Sequence, residues 1–379
     1  MIHYICMNLR FDREYYLNLK MQPLAGTSMV NWVKLLLENK FCIDWRFIPR
    51  TIYVTLMIAV ISPFRFYEKL KFEKKIREIN IPPPLFIIGH FRSGTTFLHY
   101  LMGQDRNLAY VSTLETMAPW VFLGSEKIFK SMVEKRLPEK RPMDDLEMKA
   151  GLPYEEEYAL ANLTPYSFYH GWYFPRNIEY YFRRYVLFEN VGEKIKEEWK
   201  KYYLYLLKKI TYKHDGKRIL MKSLVNTGRI KMLLEIFPDA KFIHIYRNPY
   251  KVYLSTWRLY EKILPIFSFH HIEREKLDEF IINFYREVYM KYIEEKKLIP
   301  EDNLVEISYE NFVKEPLKTL KNVYEKIGMN GFEEAEPYFK KFIERYRNYK
   351  PYNYKIDEET KKKIYKEWKF AFDEFGYPP

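Results

Sequence analysis

Only two cysteines, Cys6 and Cys42, occur among the 379 residues. A disulfide framework is thereby excluded, and a reducing compartment fits. No His/Cys cluster has the spacing of a zinc site. Zinc-finger, RNP and basic-zipper signatures are also missing. The net charge of +13 therefore points to an anionic membrane or a polyanionic small ligand rather than to nucleic acid. No Gly/Ser-rich linker and no internal repeat divides the chain. One α/β domain with helical additions is the simpler expectation, although the length would admit two or three domains at ~150 residues each. No apolar run reaches the ~20 residues of a membrane-spanning helix. The most apolar stretch, Thr51 to Ile61, is followed by Pro63, which is expected to end it. That stretch lies too far from Met1 to be a signal peptide and lacks a small-residue cleavage site.

What the chain does have is concentrated in Leu85-Phe86-Ile87-Ile88-Gly89-His90-Phe91-Arg92-Ser93-Gly94-Thr95-Thr96. Four apolar residues read as a buried strand, Gly89 to Thr96 as a phosphate-cradling turn, and Phe97 to Met102 as the following helix. Glycines at 89 and 94 let the backbone curl so that successive N–H groups face an anion. The helix N-terminus adds its partial positive charge. The spacing is that of a P-loop, with Thr95 where a nucleotide triphosphatase carries lysine. Arg92, inside the loop, is the cation instead. A second buried strand, Lys241 to Tyr246, ends in Arg247-Asn248-Pro249. An ATP or GTP enzyme would need a magnesium-binding carboxylate there. Arginine in that place points to an anion site without a metal; a nucleotide-dependent kinase, which needs magnesium, is the alternative. Pro249 suits the first turn of a helix, which puts Ser255 two turns along it. Arg247 and Ser255 are expected to hold one phosphate between guanidinium and hydroxyl.

Together these two motifs resemble the PAPS-dependent sulfotransferases. Further stretches of the family pattern follow in order: Leu220-Met221-Lys222-Ser223 with Asn226-Thr227-Gly228-Arg229-Ile230, then Phe237-Pro238-Asp239-Ala240, then Glu306-Ile307-Ser308-Tyr309-Glu310-Asn311-Phe312. The resemblance runs over roughly residues 82 to 330. It implies a P-loop NTPase-like parallel sheet of about five strands flanked by helices, and PAPS as co-substrate without a metal. It further implies that Arg92, Ser93, Gly94, Thr95 and Thr96 grip the 5′-phosphosulfate, and that Arg247 and Ser255 grip the 3′-phosphate. Arg92 and Lys222 are the expected leaving-group cations, since a lysine at a buried strand end is costly unless an anion meets it. Cytosolic members place a histidine base two residues after that lysine, where this chain has Leu224. Tyrosylprotein and heparan-type members use a glutamate shortly beyond the phosphate loop. Glu115 stands at the matching position and is the expected base. Glu155, Glu156 and Glu157 are its rivals, read otherwise as charges complementing a helix N-terminus. His90 and His99 read as packed side chains.

Periodicity places strands at 85–89, 108–112, 218–222, 241–246 and 304–308, alternating with helices as a parallel sheet requires. Residues 1–81 read as a helical N-terminal extension, with Ser28 capping a helix through Trp32, Leu35 and Leu36. Residues 82–379 read as the sulfotransferase domain, with an insertion at 114–188. That insertion is rich in aromatics, among them Trp120, Tyr154, Tyr158 and Trp172. Aromatics are core material first, yet a loop-rich insertion after a phosphate site is where an acceptor pocket is built. The 51–61 stretch has Arg46 and Arg50 before it, and Arg65, Lys69, Lys71, Lys74 and Lys75 after it. Basic flanks fit a helix dipping into one leaflet; a helix packed on the domain is the alternative. The expectation is a cytoplasmic enzyme, peripheral at the inner face of the membrane. Its acceptor is a small-molecule or lipid alcohol such as a sterol, with a carbohydrate hydroxyl as the other candidate and no nucleic-acid partner.

Overall fold

The computed structural model describes residues 11, 15–16, 19, 22–347 and 355–379; Cys6 lies outside them. Two compact units are built from interleaved segments. The sheet unit takes Asn80–Val111, His214–Thr256 and Ile282–Pro379, and the helical unit takes Met1–Ile79, Ser112–Lys213 and Trp257–Ile281.

Among the described residues, the sheet unit holds five parallel strands: β1 (Leu85–Gly89), β2 (Leu108–Tyr110), β3 (Arg218–Lys222), β4 (Lys241–Tyr246) and β5 (Leu304–Ser308). Their order is β2-β3-β1-β4-β5. Every residue of β1 is buried. An unbroken apolar run of that kind suits a strand covered on both faces, as parallel sheets are. Leu85 pairs with Leu220 on one side and Lys241 on the other, so β1 is central. The strand order reverses beside it, and in open α/β sheets ligands gather beyond the carboxyl ends of the strands at such a reversal. Four of the five strands keep the expected bounds; β2 ends two residues early, at Tyr110.

In the helical unit, helix α1 (Met29–Glu38) starts at Ser28, whose hydroxyl accepts from the Asn31 N–H at 3.1 Å. Helix α2 (Ile48–Arg77) corrects one expectation: Pro63 lies inside it and does not end it. Proline removes one backbone hydrogen bond and costs ~3 kcal/mol in a helix interior. Contacts on both sides of it outweigh that local preference. Val54, Ile58 and Ile61 are buried ahead of Pro63, and Glu68 and Ile76 beyond it. Glu68 accepts from the Leu123 and Gly124 N–H groups at 2.9 and 2.7 Å and pairs with the buried Lys209. Arg50, at the other end, donates to the carbonyls of Ser268 and Pro265. The expected shortfall in length also fails: Trp45–Arg77 is long and apolar enough to cross a membrane, its most apolar 18 residues having a mean hydropathy of 1.6 with 28% of them buried. The aromatic insertion supplies core, with Phe168, Tyr169, Trp172, Tyr173 and Phe174 all buried.

Candidate active site

The loop after β1 owes its shape to left-handed backbone at Arg92 (φ 69°) and Gly94 (φ 98°), which turns the chain into helix α3 (Thr95–Met102). A Cβ on Gly94 would lie 2.4 Å from the Tyr309 ring, and one on Gly89 would lie 2.3 Å from the Ile245 carbonyl oxygen. Neither position tolerates a side chain. The Thr227 hydroxyl accepts from the Gly89 N–H and donates to the Gly89 carbonyl, both at 2.8 Å. Ser93 turns inward: its hydroxyl and its N–H both donate to the His90 carbonyl, at 2.8 and 3.3 Å. It shapes the loop from within. The opening turn of a helix carries N–H groups without intrahelical acceptors, and these are natural anion ligands.

Two further cations, Arg247 and Lys222, join Arg92 at this loop. The Arg92 Nε–H donates to Ser255 Oγ at 2.9 Å. Arg247 Nη1 donates to the Arg92 carbonyl at 3.0 Å, and its guanidinium lies 4.1 Å from the Tyr309 ring centroid. Tyr309 therefore backs both Gly94 and Arg247. Lys222, 1% exposed at the end of β3, donates to Thr96 Oγ1 at 3.2 Å. Arg92, Thr96, Lys222, Arg247 and Ser255 are brought together, and Arg247 and Ser255 both meet Arg92. A donor set of three cations, hydroxyls and a helix N-terminus fits a ligand phosphorylated at two places. Thr227 and Tyr309 were not singled out in the sequence. Each lies inside a recognisable motif, but only the pairing of distant segments gives it a task.

His90 is buried against Tyr285 and Tyr289. Burial pushes its pKa down to about 3, although the bond to the Phe91 carbonyl works the other way. It is neutral and packed, and His99 is likewise buried. Among the described residues, no three His, Cys, Asp or Glu side chains form a group that would hold a metal ion.

Glu115 belongs to the helical unit, on the short helix Thr113–Met117. It is 1% exposed and closes a capping box: Oε2 accepts from the Ser112 N–H at 2.6 Å. Its Oε1 lies 2.9 Å from Lys213 Nζ. Burial opposes the Lys213 cation, but the Glu115 and Glu126 carboxylates outweigh it and hold its pKa above the ordinary lysine value. The rival carboxylates are engaged elsewhere. Glu155 accepts from the Tyr169 hydroxyl, Glu156 from Tyr203 at 3.3 Å, and Glu157 from the Ser167 hydroxyl and the Phe168 N–H.

The helix that carries Glu115 also places Met117 on the wall of a cavity of about 80 Å³ within the helical unit. Met57, Met132, Met143 and Met148 share that wall with apolar Ile61. Methionine is flexible and polarizable, so a wall made of it adapts to irregular apolar ligands.

Residues 83–334 match the model of the Sulfotransferase family. The omega-hydroxy-beta-dihydromenaquinone-9 sulfotransferase Stf3 of Mycobacterium bovis is 30% identical over 357 residues, covering 93% of this chain and 90% of that protein. Its counterpart in Mycobacterium tuberculosis (strain CDC 1551 / Oshkosh) matches equally. That coverage takes in most of the segment ahead of Pro82. Among solved structures, sulfotransferase STF9 from Mycobacterium avium aligns with a TM-score of 0.60 at 16% identity, over 92% of this chain and 97% of that one. Sulfotransferase STF1 from Mycobacterium tuberculosis H37Rv gives 0.59 at 14% identity, over 88% of each chain. At those identities the likeness concerns the fold.

Proposed function

The chain belongs to the sulfotransferase family and is a sulfotransferase, and from that premise we propose that its donor is PAPS and its acceptor a hydrophobic, lipid-type alcohol. PAPS supplies an activated sulfuryl group and a leaving diphosphoadenosine. In this reading Arg247 and Ser255 bind the 3′-phosphate, while Arg92 and the 93–96 segment bind the 5′ end. The convergence of Arg247, Ser255 and Arg92 on one loop is the observation that carries the donor assignment. The acceptor oxygen bonds to sulfur as the bond from sulfur to the bridging phosphate oxygen breaks. Arg92 and Lys222 offset the charge that builds on that bridging oxygen, and Glu115 takes the proton from the hydroxyl. A carboxylate offers about four lone-pair sites, so a capping bond and a lysine leave capacity for a proton. Lys213, 2.9 Å from Oε1, and the Ser112 N–H on Oε2 hold the carboxylate in place.

Two observations favour a hydrophobic acceptor. Helix Thr113–Met117 carries both Glu115 and a wall residue of the methionine-lined cavity. The curated relative from Mycobacterium bovis is named for an ω-hydroxylated dihydromenaquinone. Such an acceptor resides in a membrane, so we place the enzyme at the cytoplasmic face in peripheral contact with the bilayer. Competition assays test the pocket: a sterol-like or long-chain alcohol is expected to suppress labelling of a simple sugar. Preference for the sugar would move the acceptor to the carbohydrate class.

A further inference from the structure

Helices α1 and α2 turn an unusual amount of hydrocarbon outward. Along α2, Ile48, Ile52, Leu56 and Val60 follow one another at four-residue steps, with exposures of 49, 55, 61 and 58%. Phe66 and Leu70 continue that face at 65 and 72%. Residues four apart share a helix face, so these side chains form one stripe ~33 Å long at 1.5 Å per residue. On α1, Val30, Val33 and Leu37 are exposed at helical spacing, and exposed Phe41 and Trp45 follow in the connection to α2. The two helices are joined by a hydrogen bond from the Trp32 indole to Thr55. Contiguous exposed apolar surface of this size marks an interaction face.

The charges around it identify the occupant. Lys34, Lys40 and Arg46 are exposed beside the α1 end of the face, and Lys69, Lys71 and Lys74 beside the α2 end. The carboxylates of the same stretch are engaged within the helical unit or along the helix. Glu38 accepts from Tyr180 and Tyr181, Asp44 pairs with Arg176, Glu68 with Lys209, and Glu73 with Arg77. An apolar stripe bordered by outward cations is complementary to an anionic lipid surface. Spanning is disfavoured in spite of the helix's length. Arg50 and Glu68, near its two ends, are tied by hydrogen bonds to Ser268, Pro265, Leu123 and Gly124, bonds that insertion would break inside hydrocarbon.

We infer that α1 and α2 lie in the plane of an anionic membrane leaflet, and that α2 is the wall between the lipid and the methionine-lined cavity. The stripe faces outward, while Met57 and Ile61 of the same helix line the cavity. A lipid alcohol held in the leaflet would then enter the cavity past α2 without crossing water. At about 80 Å³ the cavity is smaller than the about 150 Å³ apolar cavity that admits benzene. Entry therefore requires the methionine side chains to swing aside. The entry route rests on the proposed lipid-type acceptor; the membrane seat does not.

The test uses the full chain and vesicles of neutral lipid with or without a phosphatidylglycerol fraction. Wild-type protein is expected to float with the anionic vesicles at low salt and less at high salt. Leu56→Glu and Val60→Glu, both at exposed positions, should lower flotation and turnover of a vesicle-borne alcohol by at least about tenfold. Turnover of a short, water-soluble alcohol and the melting temperature should stay unchanged. Lys71→Glu with Lys74→Glu should weaken flotation selectively on anionic vesicles. Absence of wild-type flotation, or flotation untouched by Leu56→Glu and Val60→Glu, overturns the inference. So does a wild-type dimer that these variants dissociate while no vesicle is bound, which would assign the face to a second copy. Flotation without sulfation of any alcohol would sink the proposed reaction and leave the membrane seat standing.

Discussion

The side chain of Arg92 reaches Ser255, 163 residues further along the chain, and donates to its hydroxyl at 2.9 Å. This contact joins the loop after β1 to the helix after β4. It makes the two ends of the proposed donor site one object, since Arg247 holds the carbonyl of the same Arg92.

Binding should therefore depend on the 3′-phosphate in a way that Arg247 and Ser255 control. Arg247→Ala is expected to weaken 3′,5′-diphosphoadenosine by roughly 1.5–3 kcal/mol, as charge-assisted hydrogen bonds are lost. Binding of plain AMP should change little. Calorimetry with the two ligands measures the difference; equal wild-type affinity for both would remove the 3′-phosphate assignment.

Lys222 is buried at a strand end beside Thr96. Lys222→Met keeps an apolar stem of similar length and removes the cation. The expected loss is ~10²–10³-fold in kcat, the scale of one electrostatic donor aimed at developing charge. Single-turnover rates separate this from binding, and an unchanged chemical step would free Lys222 of its role.

Glu115→Gln can still close the capping box, because glutamine serves at that helix position, but it cannot accept a proton. Turnover should fall ~10²–10⁴-fold with donor affinity nearly constant. Near-normal turnover in this variant, with loss on changing Glu155, Glu156 or Glu157, would move the base to that cluster.

Acid should weaken the fold through its buried histidines. Burial pushes His90 down to about 3 and His170 and His270 each to about 4, from an ordinary 6.5. The folded state keeps them neutral while the unfolded chain takes up protons below 6.5, so their contribution is present above that pH. It is lost progressively as pH falls toward 4 and 3. At pH 5.5 the loss is about 1 kcal/mol for each. Urea unfolding at pH 7.5 and 5.5 should show the lower midpoint at 5.5; coincident midpoints would mean that these histidines are hydrated.

The strand–turn–helix around the proposed phosphate loop was legible because the three are adjacent there, and four buried apolar residues leave Leu85–Ile88 one reading. Arg247 and Ser255 were legible for the same reason, within a single strand–helix junction. Tyr309 and Thr227 gained their tasks only when β1 paired with its neighbours and long loops closed. Pro63 misled because its effect is local, whereas the contacts that carry α2 past it come from Leu123, Gly124 and Lys209, far along the chain. The Lys213 partner of Glu115 lies nearly a hundred residues away, on a helix whose register no local pattern ties to the capping box.

Transfer of radioactive label from PAPS into a lipid extract, with excess chelator present, tests sulfuryl transfer to a lipid-type alcohol without a metal. Label is expected in a hydrophobic product, reduced in the Lys222→Met and Arg247→Ala variants and indifferent to EDTA. Turnover abolished by EDTA and restored by magnesium, with ATP as the donor that is consumed, would contradict PAPS as the donor and favour the kinase alternative.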